Sequence, residues 1–297
     1  MCLNPRLVPI RVPYSQRNEI GVSILRFRDR ETGFVVPALG RIITVPCGKC
    51  IECSKMQSTE WALRICLESM QHDSNCVVTL TYNDSNLPLN SLLEPRDLQL
   101  WLKRLRKAIS PVRVRFFASG EYGSLKGRPH YHVILFGWAP SDLEFMYSTA
   151  KNSSQYRSRF LDKLWGKGFV SVGTVDWNTA YYTAKYLQKV VFSDFPVPPF
   201  VRMSNRPGIG YGAIKDVKLQ IGKLYYRGRE FPLPRYFVKV LTRQFGEFAS
   251  DFLLRRRSAV LARLRREREL PLKLNEERYS VRLARAAGFL GQLMRPK

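Results

Sequence analysis

The stretch Gly127-Arg128-Pro129-His130-Tyr131-His132-Val133-Ile134-Leu135-Phe136 decides how this chain folds. Val133 to Phe136 suit a pleated, half-buried surface and Gly137 closes the run, so the segment is predicted to be a β-strand. Strand side chains alternate faces, which puts His130 and His132 on one side and Tyr131 on the other. Two imidazoles so placed can share one metal ion. Upstream, Val112 to Ser119 reads as the preceding strand, and the turn-rich segment from Gly120 to Pro129 predicts a tight hairpin. That hairpin would return His130 beside Glu121, the candidate third ligand. A set of two histidines and a carboxylate with open positions suits Mg²⁺ or Mn²⁺ holding a phosphate oxygen.

Further along stands Tyr182-Thr183-Ala184-Lys185-Tyr186-Leu187-Gln188-Lys189. Read as a helix, it places Tyr182 and Tyr186 one turn apart on the same face. A phenol with a reference pKa near 10 is a poor nucleophile until its anion is stabilised. Lys185 and Lys189 each follow a tyrosine by three residues and put a cation on its face. Tyr181 is turned about 100° from Tyr182 and is assigned to packing. A metal pair with a tyrosine pair is equipment for cutting and rejoining single-stranded nucleic acid.

Around these segments the patterning predicts a helix over 54–70 and a strand over Cys76–Tyr82. A helix opened by Pro95, a helix over 155–166, a strand over Phe169–Val175 and the tyrosine helix from Trp177 to about Phe192 follow. This order, with a hairpin in its middle, predicts an α+β fold: a central antiparallel sheet backed by helices, of the ferredoxin-like or split βαβ class. Four sections are expected. Residues 1–75 carry a cysteine cluster and a helix, and 76–195 form the nuclease core. Residues 196–241 form a basic loop and a hairpin near 219–231, and 242–297 a basic helical tail.

The balance of 49 Lys and Arg against 24 Asp and Glu gives +25, which favours a polyanionic partner. An apolar content of 45% is enough for a core and excludes a disordered chain. No apolar run is long enough to cross a bilayer. The opening residues lack the basic-then-apolar order of a signal peptide, so a reducing cell interior is the expected setting. The six cysteines are then expected as ligands or core residues rather than disulfides. Cys47-x-x-Cys50-x-x-Cys53 has spacing compatible with a structural zinc knuckle, with Cys2 as the candidate fourth ligand and His72 or Cys76 behind it. The same spacing also suits three plain thiols at the start of a helix. Arg202 and Arg206, in a segment rich in Gly, Asn and Arg, are the expected DNA contacts. Trp101, Phe116, Phe117, Tyr122, Trp138 and Trp177 are aromatics available to bases or to the core.

Together with Thr79-Leu80-Thr81-Tyr82 and the interposed Lys185, these motifs resemble the HUH-type replication initiators. More narrowly, the chain is similar to the initiators of the small single-stranded DNA microviruses of the gokushovirus branch. The likeness includes Pro46 to Cys53, the tryptophan helix after it, Gly120-Glu-Tyr-Gly123, Gly127 to His132, Arg206-Pro-Gly-Ile-Gly210 and Pro234-Arg-Tyr-Phe237. It covers Cys2 to about Leu241, and the tail is alike only in its basic character. The resemblance implies that His130 and His132 bind the divalent cation and that Tyr182 and Tyr186 do the nicking. It implies rolling-circle replication from a viral origin in the cytoplasm of a bacterial host, with single-stranded origin DNA and host replication proteins as partners. Plasmid initiators, relaxases and single-strand transposases share this chemistry. A non-catalytic basic protein that coats or packages nucleic acid would need neither metal nor tyrosines.

Overall fold

The computed structural model describes residues 6–9, 25–28, 35–38, 42–45, 47–48, 50–123, 127–148, 153–189, 195–215, 223–241 and 243–244. The chain divides into two compact units, Met1–Met56 and Gln57–Lys297. In the first unit β1 (Arg6–Pro9) pairs antiparallel with β4 (Ile42–Val45), and β2 (Leu25–Arg28) pairs with β3 (Val35–Ala38). Helix α1 spans Ile51–Ser69, close to the expected bounds.

The second unit is built on one seven-stranded antiparallel sheet. Its strands are β5 (Asn75–Tyr82), β6 (Arg115–Tyr122), β7 (Pro129–Phe136), β8 (Leu143–Ser148), β9 (Ser154–Ser158), β10 (Gly168–Gly173) and β11 (Phe200–Met203). They lie in the order β11-β6-β7-β5-β10-β9-β8, so the histidine strand β7 is central. The expected α+β fold with an antiparallel sheet and helices is the fold that forms.

Alternation along the strands sorts the core into two layers. On one face Val78, Leu80, Tyr82, Tyr131, Val133 and Leu135 pack against α2 (Pro95–Ala108) and α3 (Arg159–Trp165). Helix α2 contributes Leu98, Trp101, Leu102 and Leu105, a stripe at the i, i+3, i+4, i+7 spacing of an amphipathic helix. Each such side chain stabilises the fold by roughly 1.5–3 kcal/mol when fully buried. Pro95 occupies the first turn, where its missing N–H costs nothing, and the Glu94 carboxylate accepts the Arg96 N–H. On the opposite face Val77, Phe117, Ile134 and Phe136 pack with Leu63 and Ile65 of α1 and Ala180 and Ala184 of α4 (Trp177–Lys189). The hairpin of β12 (Lys223–Tyr226) and β13 (Arg229–Pro232), in the region expected to form one, adds Leu224 and Tyr226 to this layer.

Three expectations needed correction. The strand placed at Val112–Ser119 runs instead over Arg115–Tyr122, because Val112 closes the turn after α2 by donating to Ile109 O, while pairing with β7 continues to Tyr122. Residues 154–158, expected as the start of a helix, form β9, which pairs with β8 and with β10 through Val172↔Tyr156. The helix begins only at Arg159, where Ser158 Oγ accepts the Leu161 N–H. Phe200–Met203, read as part of a boundary or loop, is the edge strand β11 against β6. The basic tail beyond 244 lies outside the described residues.

Candidate metal centre and tyrosine helix

Register brings the candidate ligands together. On β6 and β7, Glu121 pairs with His130 and Ser119 with His132. On the other side of β7, β5 sets Thr79 against His132 and Thr81 against His130. Directly opposed residues share a face, so all six side chains stand on the α4 side of the sheet. Glu121 Oε1 lies 2.9 Å from His130 Nε2 and 3.1 Å from His132 Nε2. One ligand atom from each of the three residues falls within 4.8 Å of the others. The hairpin expected from the turn residues therefore delivers Glu121 to both histidines, as a paired residue inside the strand.

The far side of each ring is also held. His130 Nδ1 lies 3.1 Å from Arg128 O, and His132 Nδ1 lies 3.0 Å from Thr79 Oγ1. A carbonyl only accepts, so His130 Nδ1 carries a proton and, in the neutral ring, Nε2 turns its lone pair toward the carboxylate. Two electron-rich atoms 2.9 Å apart need a cation between them, either a second proton or a metal ion. Burial alone would raise the Glu121 carboxyl, but contacts from both imidazoles outweigh it and hold the group well below the usual carboxylate range. Ser119 Oγ, buried across from His132, makes no hydrogen bond among the described residues. A preformed anion, two oriented imidazoles and an orphaned hydroxyl fit a divalent ion.

Tyr131 anchors the strand from behind. It is fully buried, and its hydroxyl meets Tyr82 Oη at 2.8 Å, donates to Glu94 O and accepts the Glu94 N–H. Tyr82 donates in turn to Asp97, which pairs with Lys167. Burial raises the Tyr131 phenol to about 12, so it is a fixed neutral link between β7 and the start of α2.

Helix α4 opens on a reciprocal cap: Asp176 Oδ1 accepts the Thr179 N–H, and Thr179 Oγ1 accepts the Asp176 N–H. Ala180 and Ala184, one turn apart and fully buried, let the helix approach β6, β7 and β11 closely. That approach sets the Tyr182 ring edge-on to His132, with centroids 5.5 Å apart, while the residue stays 44% exposed. Tyr181 packs into the core layer as expected. Lys185 stands partly buried on the same helix. Tyr186 and Lys189 belong to α4, but their side chains lie outside the described set.

Other candidates stand away from this centre. Arg202 pairs with Ala118, which puts it on the face opposite the histidines, 5.3 Å over the Phe200 ring. Arg206 is exposed on a loop whose neighbour Pro207 accepts from Arg115, about 20 Å along β6 from Glu121 at strand rise. Trp101, Phe117 and Tyr122 are core residues. Phe169 is different: it continues the row Glu121–His130–Thr81 onto β10 and is 69% exposed. Its place was not legible as a site, and neither were the roles of Thr79 and Tyr131, since each depends on cross-strand register. Among the described residues, no helix is long and apolar enough to cross a membrane.

Comparisons agree with this geometry. Residues 75–191 match the family model for replication-associated proteins of the ORF2 type. The chain is 32% identical over 248 residues to the Replication-associated protein ORF2 of Spiroplasma virus 4, covering 76% of this chain and 77% of that protein. It is 30% identical over 220 residues to the Replication-associated protein ORF4 of Chlamydia phage 1, covering 68% of this chain and 55% of that protein. With the Replication-associated protein VP4 of Bdellovibrio phage phiMH2K it shares 32% identity over 207 residues, 65% of each. No solved structure matches the chain.

Proposed function

The chain belongs to the replication-associated protein family of the microviruses, and we propose that it nicks and rejoins single-stranded DNA at the viral origin. The observation that carries this reading is the convergence of Glu121, His130 and His132 beneath the Tyr182 ring. A divalent ion held by those three side chains would polarise the scissile phosphate and offset the charge that develops on it. Tyr182, and Tyr186 one turn on, are the nucleophiles, with Lys185 and Lys189 as cations near their phenolate forms. Attack by a tyrosine oxygen forms an O–P bond as the phosphorus–sugar oxygen bond breaks. The phenol gives up its proton and the departing sugar oxygen takes one. The phosphotyrosyl link preserves the diester's energy, so the sugar hydroxyl can reverse the step and rejoin the strand. Two tyrosines allow one to hold a DNA end while the other cuts again, as rolling-circle replication requires.

The excess of basic residues supplies salt-sensitive phosphate contacts, with Arg202 and Arg206 as candidates beyond the cleavage point. Phe169, about 10 Å from His130 at two strand spacings, offers an exposed ring for a base flanking the scissile phosphate.

The test is cleavage of single-stranded origin DNA with Mn²⁺ or Mg²⁺, read on a denaturing gel. A protein–DNA adduct that requires metal and disappears in the Tyr182→Phe/Tyr186→Phe double variant is expected. Tight binding of a verified origin with no adduct under either metal would return the chain to the class of non-catalytic DNA-binding proteins.

A further inference from the structure

The first unit carries a second cluster of ligand atoms, remote in chemistry from the centre just described. Cys47, Cys50 and Cys53 each bring a sulfur within 4.8 Å of the others. Cys47 Sγ and Cys53 Sγ are 4.0 Å apart, and the Cys50 N–H donates to Cys47 Sγ at 3.2 Å. A disulfide would need sulfurs at about 2.05 Å. Sulfurs at the corners of a tetrahedron around zinc, each about 2.3 Å from the ion, stand about 3.8 Å apart. The observed separation is therefore that of a metal-site edge.

Local structure favours the thiolate form. Cys50 directly precedes α1 and Cys53 lies in its first turn, where the positive end of the helix stabilises anionic sulfur. The N–H directed at Cys47 acts the same way.

The ladder between β1 and β4 supplies the direction of a fourth ligand. Arg6 pairs with Val45, so the start of β1 lies beside the point where the chain leaves β4 for Cys47. Cys2 is four residues before Arg6 and itself lies outside the described residues. Four residues span at most about 14 Å, enough to reach the cluster. A unit of only 56 residues also gains most from such a staple, because cores of that size supply little stability alone.

We propose that Cys47, Cys50 and Cys53, with Cys2 as the fourth thiolate, bind one structural zinc ion that closes the N-terminal unit. The site is independent of the nicking reaction, and its failure would leave that reading untouched.

The test uses the full chain reconstituted with Co²⁺, whose thiolate complexes show near-ultraviolet charge-transfer bands and strong visible bands that nitrogen and oxygen ligands do not give. One equivalent of Co²⁺ is expected to produce both sets of bands. They should persist in the His130→Ala/His132→Ala variant, vanish in Cys50→Ser and weaken in Cys2→Ser. Absence of the charge-transfer bands, or their survival in Cys50→Ser, would overturn the site. An unchanged spectrum in Cys2→Ser would overturn the fourth ligand. Should Cys50→Ser fail to fold, a thiol-specific mercurial titrated into the wild-type chain decides instead. Zinc released in step with thiol modification is the expected result, and a chain that yields no zinc overturns the proposal.

Discussion

Replacing Thr79 by valine removes one hydroxyl while keeping the branched shape that a strand position favours. That hydroxyl lies 3.0 Å from His132 Nδ1, directly across the β5–β7 ladder, and is what orients the ring toward Glu121. Losing an oriented outer partner of this kind typically lowers metal affinity by about 10- to 100-fold, or about 1.4–2.8 kcal/mol. The fold should feel much less, because one hydrogen bond contributes only about 0.5–1.5 kcal/mol net and valine recovers part of it. The structure also supplies a control two residues away. Thr81 faces His130 across the same ladder, but His130 Nδ1 is held by the backbone carbonyl of Arg128. Thr81→Val should therefore leave metal affinity unchanged. Mn²⁺ titration of the full-length variants by calorimetry, beside thermal melts, reads both quantities. Equal affinity in Thr79→Val and Thr81→Val would refute the claim that the Thr79 hydroxyl positions the ligand.

Phe169→Ala should weaken binding of single-stranded DNA by about 1–3 kcal/mol, roughly 5- to 150-fold in Kd, while Mn²⁺ affinity stays level. Fluorescence anisotropy with a labelled oligonucleotide measures it, and an unchanged Kd would remove Phe169 from the DNA path. Gly168 begins β10 at φ +153°, and a Cβ there would press into Thr81 O and Asn83 N, both backbone atoms. Gly168→Ala is expected to cost about 2–5 kcal/mol in urea denaturation, and a wild-type midpoint would show that the strand start can shift freely. In the metal-free chain, Glu121 has its carboxyl lowered from an ordinary value of 4.5. A lowered carboxyl contributes stability that is complete above the unfolded value and is lost as pH falls through the folded one. Glu121→Gln should accordingly show a shallower loss of stability below pH 4.5 than the wild type, and parallel acid-unfolding curves would contradict the assignment.

The parts of this protein readable before folding were those set by local rules. Period-two alternation put His130 and His132 on one face and Tyr131 on the other, and the structure keeps them there. Helical spacing separated Tyr181 from Tyr182, one packed and one open. Turn residues between Glu121 and His130 announced the hairpin, and a proline marked the first turn of α2. Each depends on a few consecutive residues and a fixed repeat.

Other features depended on chain segments meeting. Residues 154–158 became a strand because β8 and β10 offered partners, although the local pattern resembled a helix start. Phe200–Met203 became an edge strand because β6 had an unpaired side. The hydroxyl that holds His132 comes from 53 residues upstream, and the Tyr131 network reaches back to Glu94. No periodicity encodes such partners, since register is decided by which strands lie side by side and by which faces are buried. Residue types and their spacing were enough to indicate the chemistry. The distances that would let it work arise only when β6, β7, β5 and α4 close on one another.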